Sequence, residues 1–288
     1  MNVVDPASPM LTLGLTTALR AARTGSNPTA ASEFHLGAIG ASLILIVIAM
    51  GISWRQKLGL EKSIAWAATR ATVQLGLVGL GLGLVLSDDA PLVWSWVWVA
   101  GMVMIGGITV QRRVPNVAGL FRLTCGALAT AAGTSLAVVF GTGIFPLEPR
   151  VIVPVAGMLL GNSIGTTVLA ARRTLQELDE HREQIEVRLS LGQIGTAAVR
   201  PHVREALRTA VTPQIEQTKI LGLIALPGTM TGLLLAGVSP RDAVAVQLGV
   251  MFLILGSVAI TSVIVGPGVA RRLITADQRL ELPPATSS

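Results

Sequence analysis

Apolar residues in this chain come in long uninterrupted blocks, and this pattern constrains the fold more than any other feature of the sequence. A bilayer core about 30 Å thick is crossed by roughly 20 apolar residues in an α-helix. Hydrophobic residues make up 51% of the chain and charged residues only 13%, about half the charged fraction of a typical soluble domain. Continuous runs also differ from the short alternating segments of a membrane β-barrel. The sequence therefore predicts an all-α, polytopic transmembrane helical bundle.

Seven blocks are long enough to be predicted spans. They cover residues 36–53, 64–86, 93–110, 123–140, 151–171, 215–235 and 243–265. We accordingly expect an N-terminal tail over 1–35, a transmembrane domain over 36–271 with an insertion at 172–212, and a C-terminal tail over 272–288. The lipid bilayer is thus the first predicted partner.

Basic residues concentrate in every second loop. They follow the first, third, fifth and seventh spans, at Arg55, Lys57 and Lys62, at Arg112, Arg113 and Arg122, at seven arginines between Arg172 and Arg208, and at Arg271 and Arg272. Loops rich in Lys and Arg stay in the cytoplasm. This predicts an inner-membrane protein with its N-terminus outside and its C-terminus in the cytoplasm.

Several function classes are disfavoured. The chain has no Tyr, and its five Trp lie in or beside apolar runs, so no surface for stacking nucleic-acid bases is predicted. It has no G-x-x-x-x-G-K-[ST] loop for ATP phosphates and no nucleophile–base constellation, so it is not predicted to be an enzyme. No cofactor is predicted. His181 and His202 are expected at the surface rather than as metal ligands, and which residues would bind a metal stays open.

The insertion at 172–212 reads as two helices. The first continues the fifth span and places Leu175, Leu178, Ile185 and Leu189 on one face, with possible ion pairs of Arg173 with Glu177 and of Arg182 with Glu186. Leu191 and Gly192 interrupt the helical spacing of apolar residues, because glycine often marks the end of a helix. The second helix is expected to end before Pro213.

The second helix carries a basic stripe, Arg200, Arg204 and Arg208, at four-residue spacing. The stripe is either a solvated face near anionic lipid headgroups or a docking surface for a cytoplasmic partner. A helix, a Leu-Gly turn and a helix between two spans resemble the coupling element of ATP-binding-cassette permeases, whose short cytoplasmic helix sits in a groove on the ATPase.

Polar groups inside predicted spans are candidates for a substrate pathway, because they are costly in lipid. Arg70, with Gln74 one turn on, either reaches the membrane surface, pairs with another helix or lines a pathway. Asn162 and Gln247 are predicted to hydrogen-bond between helices. Glycines at four-residue spacing, such as Gly157, Gly161 and Gly165, are expected to let helices approach closely.

The sixth predicted span is the most irregular. Glu216 and Lys219 lie near its cytoplasmic end and can pair with each other. Pro227 and Gly228 fall deeper in the span, where proline removes a helical hydrogen bond and kinks the helix. The pathway candidates here are Pro227, Gly228, Thr229, Met230 and Thr231, whose carbonyls, hydroxyls and thioether can meet a passing ion. A purely structural kink is the alternative.

Three runs together carry a resemblance to a known family. They are the Gly157-Met158 and Gly161-Asn162 pairs, the helix–Leu-Gly–helix insertion, and the run from Leu226 to Gly232. On these the sequence resembles the FetB family of bacterial permeases, proposed iron exporters to which plant aluminium-tolerance permeases are related. The resemblance implies a permease that exports iron or another metal, pairs with a FetA-like ATPase and works as a homodimer.

The chain departs from the family pattern at three places that bear on the choice of substrate. Leu233 stands where the family usually has Gln, Glu216 where it usually has Asn, and Val246 where it usually has Tyr. Two other classes of function stay open on the sequence alone. One is a transporter or channel driven by an ion gradient, and the other is a membrane assembly factor without transport.

Overall fold

The computed structural model describes residues 36–85, 91–115, 117–143, 145–222, 226–275 and 277–282. Nine α-helices account for most of these residues: α1 (Leu36–Arg55), α2 (Glu61–Val85), α3 (Leu92–Arg113), α4 (Leu120–Gly141), α5 (Pro149–Glu180), α6 (Arg182–Ser190), α7 (Gly195–Ile220), α8 (Gly228–Leu235) and α9 (Pro240–Arg272). The predicted all-α class is confirmed. The predicted tail over 1–35 lies outside the described residues.

The described helices fall into two compact units, one with α1 and α2 and the other with α3 to α9. The smaller unit is a helical hairpin joined by a short connection. Buried Ser53 holds this connection, since its hydroxyl donates to the Glu61 carboxylate at 2.8 Å and accepts the Leu60 amide at 3.2 Å.

The larger unit is built around α5 and α9, which pack on each other and are flanked by α3, α4 and α7. Most of the buried side chains along both helices are aliphatic or small. Inside the contact, the hydroxyls of Ser163 and Ser257 lie 2.9 Å apart in a hydrogen bond between the two helices. Satisfying two buried hydroxyls with each other avoids the cost of leaving either unpaired.

The loops of the larger unit sort to two ends, as the alternation of basic loops predicts. The Arg172 guanidinium donates to the Arg113 carbonyl oxygen at 2.8 Å, and the Arg272 side chain lies beside Gly119. The loop after α3, the far part of α5 and the end of α9 therefore share one basic end. Leu92, Phe140, Val151 and Val246 pack against one apolar cluster toward the other end.

Four helices are long and apolar enough to cross a membrane, namely α3, α4, α5 and α9 among the described residues. They coincide with the predicted spans at 93–110, 123–140, 151–171 and 243–265. As predicted, α5 runs on without a break into the insertion and ends only at Glu180. These four helices place the larger unit among multi-pass membrane proteins.

The predicted span at 215–235 is wrong as a single kinked helix. α7 ends at Ile220 and α8 begins at Gly228. Gly222 adopts a left-handed conformation with φ of +82°, which favours glycine. Pro227 is extended and caps α8, and a residue before proline is disfavoured in helical conformation. At eight residues, α8 spans only about 12 Å, too short to cross a bilayer.

The second helix of the insertion is also longer than predicted. α7 passes through both Pro201 and Pro213 and ends at Ile220 rather than before Pro213. Its buried residues recur at helical spacing, and it packs on α5 and α9 along this face. Burial of that face offsets the hydrogen bonds that the two prolines remove.

The first part of the insertion divides at His181, between α5 and α6, and turns again at Leu191 and Gly192 as expected. The predicted apolar face is confirmed, since Leu178 and Ile185 are fully buried and Leu175 and Leu189 pack against the same cluster. The Arg182–Glu186 ion pair forms at 2.8 Å. Arg173 instead donates to Gln176, so its predicted pairing with Glu177 is wrong.

Of the described glycines at four-residue spacing on α5, Gly157 faces a neighbouring helix, since a Cβ built there would lie 3.7 Å from the Met102 side chain of α3. No atom lies within 4 Å of a Cβ built on Gly161 or Gly165. Closer approaches occur elsewhere, for example at Gly266, where such a Cβ would lie 2.7 Å from the Leu207 side chain. Glycines at four-residue spacing indicate a helix face without large side chains, but they do not indicate which neighbouring helix packs against that face.

Candidate functional site

Two of the runs that carry the family resemblance meet in the larger unit. The Thr229 hydroxyl, in the first turn of α8, donates to the Met158 sulfur of α5 at 3.6 Å. One turn along α5, the Asn162 side chain donates to the Met158 backbone carbonyl at 2.8 Å. All three residues are half-buried. A thioether, a hydroxyl and an amide oxygen are thus gathered where a helix is interrupted.

The interruption itself adds backbone groups to this cluster. Helix ends leave amide and carbonyl groups without helical partners. In α8, the Pro227 carbonyl accepts the Thr231 amide at 3.0 Å and the Thr231 hydroxyl at 3.2 Å. Gly228 and Thr231 are exposed and Met230 is half-buried. Residues 226–231 therefore offer polar groups, but these groups lie at the start of a helix and not at a kink within one.

Gln247 and Asn162 do not make the interhelical hydrogen bonds predicted for them. Asn162 bonds within its own helix. Gln247, on α9, is buried, and its side-chain oxygen has no hydrogen-bond partner among the described residues. The interhelical bond joins Ser163 to Ser257 instead, and no sequence signal links serines so far apart. An unpaired buried acceptor is costly, which makes Gln247 a candidate for binding something polar.

Glu216 and Lys219 form the predicted pair, with Nζ and Oε1 2.8 Å apart and both side chains more than half exposed. They lie between Val211 and Leu221, which pack against the cluster that contains Val250 and Val258 of α9. The ion pair therefore lies on the stretch of α7 that packs beside this part of α9.

Arg70 and Gln74 lie on α2 in the smaller unit, and both are exposed. Neither makes a contact that distinguishes a pathway residue from one that faces solvent or lipid. Their role stays a prediction.

The predicted coupling residues surround the turn between α6 and α7. Leu191 is 82% exposed at the tip, and Gly192 takes φ of +83°. The stripe residues Arg200, Arg204 and Arg208 are exposed on α7. A cavity of about 340 Å³ opens between α7 and the end of α9, with Arg200 and Arg271 in its lining. An apolar tip thus lies next to a basic surface.

The expectation that both histidines are surface residues fails for His202, which is only 8% exposed. It lies on the apolar face of α7 beside Val199 and Val203, and this face packs on neighbouring helices. His202 stacks on His181, with ring centroids 4.5 Å apart. Burial lowers the pKa of the His202 imidazole, and nearby His181 and Arg188 add to this effect. Sequence reasoning missed this cluster.

An all-α bundle with membrane-length apolar helices and polar groups gathered at a helix interruption is a multi-pass membrane protein. More closely, the chain belongs to the uncharacterised protein family UPF0014, whose model matches residues 36–274.

Relatives in this family come from bacteria and plants. The chain is 34% identical to a probable iron export permease protein FetB of Escherichia coli, over 77% of this chain and 86% of that protein. It is 31% identical to the UPF0014 membrane protein STAR2 of Oryza sativa, over 81% and 82%, and 29% identical to the protein ALUMINUM SENSITIVE 3 of Arabidopsis thaliana, over 77% and 81%. No solved structure matches the chain.

Proposed function

We propose that this chain is the permease subunit of an exporter of iron or another metal ion, driven by a separate cytoplasmic ATPase of the FetA-like kind. The observation that carries the proposal is the contact between Thr229 and Met158 at the interrupted helix. It joins two of the runs that resemble the FetB family. The similarity to a probable iron export permease supports a metal ion as the substrate.

The donor groups at this contact suit a transported cation. Hydroxyl, amide and carbonyl oxygens are ligands for hard cations, and a thioether adds affinity for softer ones. The contact itself contains no carboxylate, so each ligand is neutral. Neutral ligands bind a divalent ion weakly enough for release, which conduction along a series of sites requires.

The Glu216–Lys219 pair supports a polar pathway beside this contact. An ion pair beside the part of α9 that contains Val250 and Val258 is expensive against hydrocarbon. The exposure of the Glu216 and Lys219 side chains is explained if their face of α7 borders water or a second permease chain. We therefore propose a homodimer in which the ends of α7 from both chains border a shared polar cavity.

The same arrangement supports a proposed membrane topology. We propose seven crossings, with the sixth made of the last turns of α7 and of α8, as in the discontinuous helices of other transporters. The basic end with Arg113, Arg172 and Arg272 then faces the cytoplasm. This end also carries α6 and the start of α7, so the insertion is available to a cytoplasmic ATPase.

Energy would be transmitted at the α6–α7 turn. Leu191 offers an apolar tip, and the stripe of Arg200, Arg204 and Arg208 offers charge beside it. Reversing the stripe to Glu should weaken copurification with the ATPase without unfolding the chain, since these side chains are exposed. Arg241→Glu is the control, because Arg241 is exposed at the start of α9. Unchanged copurification would return the stripe to the lipid-headgroup interpretation.

The proposal is tested by transport in liposomes. The purified chain is reconstituted with and without its ATPase, and Fe²⁺ movement is followed with ATP, with an ion gradient, or with neither. ATP-dependent transport that needs both subunits is expected. Transport by the chain alone down an imposed ion gradient would favour a secondary transporter or channel. Absence of transport under every condition, for Fe²⁺ and other divalent metals, would favour the assembly factor.

A further inference from the structure

Three metal-ligating side chains converge where α5 ends against α7, away from the contact at α8. Glu177 and His181 are one helical turn apart at the end of α5, and His202 is at the start of the third turn of α7. Each offers one ligand atom, and these atoms lie within 4.8 Å of one another. They come from segments far apart in sequence, so the cluster is a product of the fold.

His202 is the most buried residue of this cluster. It is 8% exposed, and its Nε2 has no hydrogen-bond partner among the described residues. Most buried polar atoms have a partner, and one without is expected to meet a group the protein itself does not supply. The His181 ring stacks on that of His202, and the ligand atoms of Glu177 and His181 lie within 4.8 Å of the His202 ligand atom.

The His181 ring is held through Nδ1, which lies 3.6 Å from the Glu177 carboxylate Oε2 and close to the backbone of the same residue. The His181 Nδ1 lies 3.0 Å from the Glu177 carbonyl oxygen. A hydrogen on Nδ1 donates there and leaves the lone pair of Nε2 free, which is how metal-binding histidines are commonly held. The side chains of His181 and Glu177 are 35% and 20% exposed, so an ion can enter from solvent.

We propose that Glu177, His181 and His202 form a binding site for a divalent transition-metal ion, outside the transport pathway. Two imidazole nitrogens and one carboxylate suit Zn²⁺, Fe²⁺, Co²⁺ or Ni²⁺, whereas Mg²⁺ and Ca²⁺ prefer oxygen ligands. Around a tetrahedral ion, ligand atoms at about 2.1 Å lie roughly 3.4 Å apart. The present atoms lie within 4.8 Å of one another, so binding requires the side chains to move closer together, and water would complete the coordination.

A bound ion would tie the end of α5 to the start of α7. Glu177 and His181 lie on one side of α6 in sequence and His202 on the other, so the ion would close the loop that contains the Leu191 turn. The site stands whether or not the chain transports metal. If it does, the site is placed to sense metal in the compartment that the α6–α7 turn faces.

Cobalt absorption tests the site directly. Full-length protein in detergent is stripped with a chelator and titrated with Co²⁺, whose visible bands report nitrogen ligation. We expect one such Co²⁺ per chain, displaced by Zn²⁺. His202→Ala and Glu177→Gln should each weaken binding by at least about tenfold, the effect of losing one ligand interaction of about 1.4 kcal/mol. His35→Ala, which changes the remaining histidine, should bind as wild type.

The thermal midpoint supplies a second readout. Zn²⁺ should raise the midpoint of wild type and of His35→Ala but not that of Glu177→Gln, since an ion bound only to the folded state stabilises it. Thr229→Val should keep the cobalt spectrum, which separates this site from the proposed pathway. Equal Co²⁺ spectra and affinities in wild type, His202→Ala and Glu177→Gln would overturn the site, as would absence of any nitrogen-ligated Co²⁺ in wild type.

Discussion

α5 and α9 contrast with the segment formed by α7 and α8. Both long helices contain an internal proline, Pro154 and Pro267, and both stay continuous over more than 30 residues. Between α7 and α8 the described residues 221, 222, 226 and 227 lie outside any helix. The first pair is joined by a buried serine–serine bond, and the second segment carries an exposed ion pair.

Proline alone does not account for this difference. α7 itself continues through Pro201 and Pro213. At the interruption, proline is combined with Gly222 in a left-handed conformation and with α8, which has no fully buried residue. A helix in this chain tolerates proline where a packed face offsets the lost hydrogen bond, and breaks where glycine is available and packing is thin.

The largest effect is expected where α7 still belongs to the packed region. In Gly266→Val a Cβ would lie 2.7 Å from the Leu207 Cδ2 and 3.2 Å from its Cγ. Overpacking of this kind costs about 1–3 kcal/mol and should lower the thermal midpoint and the folded yield in detergent. Gly165→Val introduces the same side chain where no atom lies within 4 Å. Equal midpoints for both variants would show that the α7–α9 contact is loose.

The next effect concerns transport. Thr229→Val keeps the side-chain shape and removes the hydroxyl that meets the Met158 sulfur. Metal-stimulated ATPase activity of the reconstituted complex should fall roughly tenfold, because one interaction of about 1.4 kcal/mol in the rate-limiting step changes a rate tenfold. The thermal midpoint should not change. Thr130→Val is the matched control, since this exposed hydroxyl bonds only its own helix, at 2.8 Å.

The sequence predicted the packed region better than the interrupted one. The hydrophobic blocks locate α3, α4, α5 and α9, because a continuous apolar segment of this length crosses a bilayer as an α-helix. The break after Ile220 depends on the conformation of Gly222 and on what packs against α8, neither of which a hydropathy pattern contains.

The candidate sites show the same limit. The run from Leu226 to Gly232 pointed to the region of Thr229, but the contact of Thr229 with Met158 became clear only from the fold. The cluster of Glu177, His181 and His202 was missed, because His202 alone on an amphipathic helix gives no metal-binding spacing. Contacts between helices distant in sequence are set by packing, which a single sequence does not report.

A smaller effect should distinguish the interruption from a regular helix. Gly222 has φ of +82°, so Gly222→Ala places a Cβ in a left-handed conformation at a cost of about 1–2 kcal/mol. Gly232 lies inside α8, where Ala is favoured over Gly by about 0.5–1 kcal/mol. No atom lies within 4 Å of either new Cβ. The two substitutions should shift the thermal midpoint in opposite directions, and a rise for Gly222→Ala would mean that α7 can continue past Ile220.

The smallest effect on stability is expected from the ion pair, and it reports what surrounds the end of α7. Glu216–Lys219 and Arg182–Glu186 both have a 2.8 Å contact, and all four side chains are about half exposed or more. Exposed pairs in water contribute about 0.2–1 kcal/mol. If the end of α7 borders a water-filled cavity, Glu216→Gln and Glu186→Gln should lower the free energy of unfolding by similarly small amounts.

A lipid-facing pair would behave differently. Glu216→Gln would then leave the Lys219 ammonium unpaired in a medium of low dielectric constant, at a cost of about 3–5 kcal/mol. Stability of the two glutamate variants therefore separates a polar cavity from hydrocarbon before any transport is measured. Activity measurements then compare the same two glutamate variants. Glu216→Gln should reduce metal-stimulated ATPase activity a few-fold, because a carboxylate bordering the cavity attracts cations, whereas Glu186→Gln on α6 should not. Wild-type activity in Glu216→Gln, together with normal stability, would remove the ion pair from the pathway and restrict the proposed pathway to the contact between Thr229 and Met158.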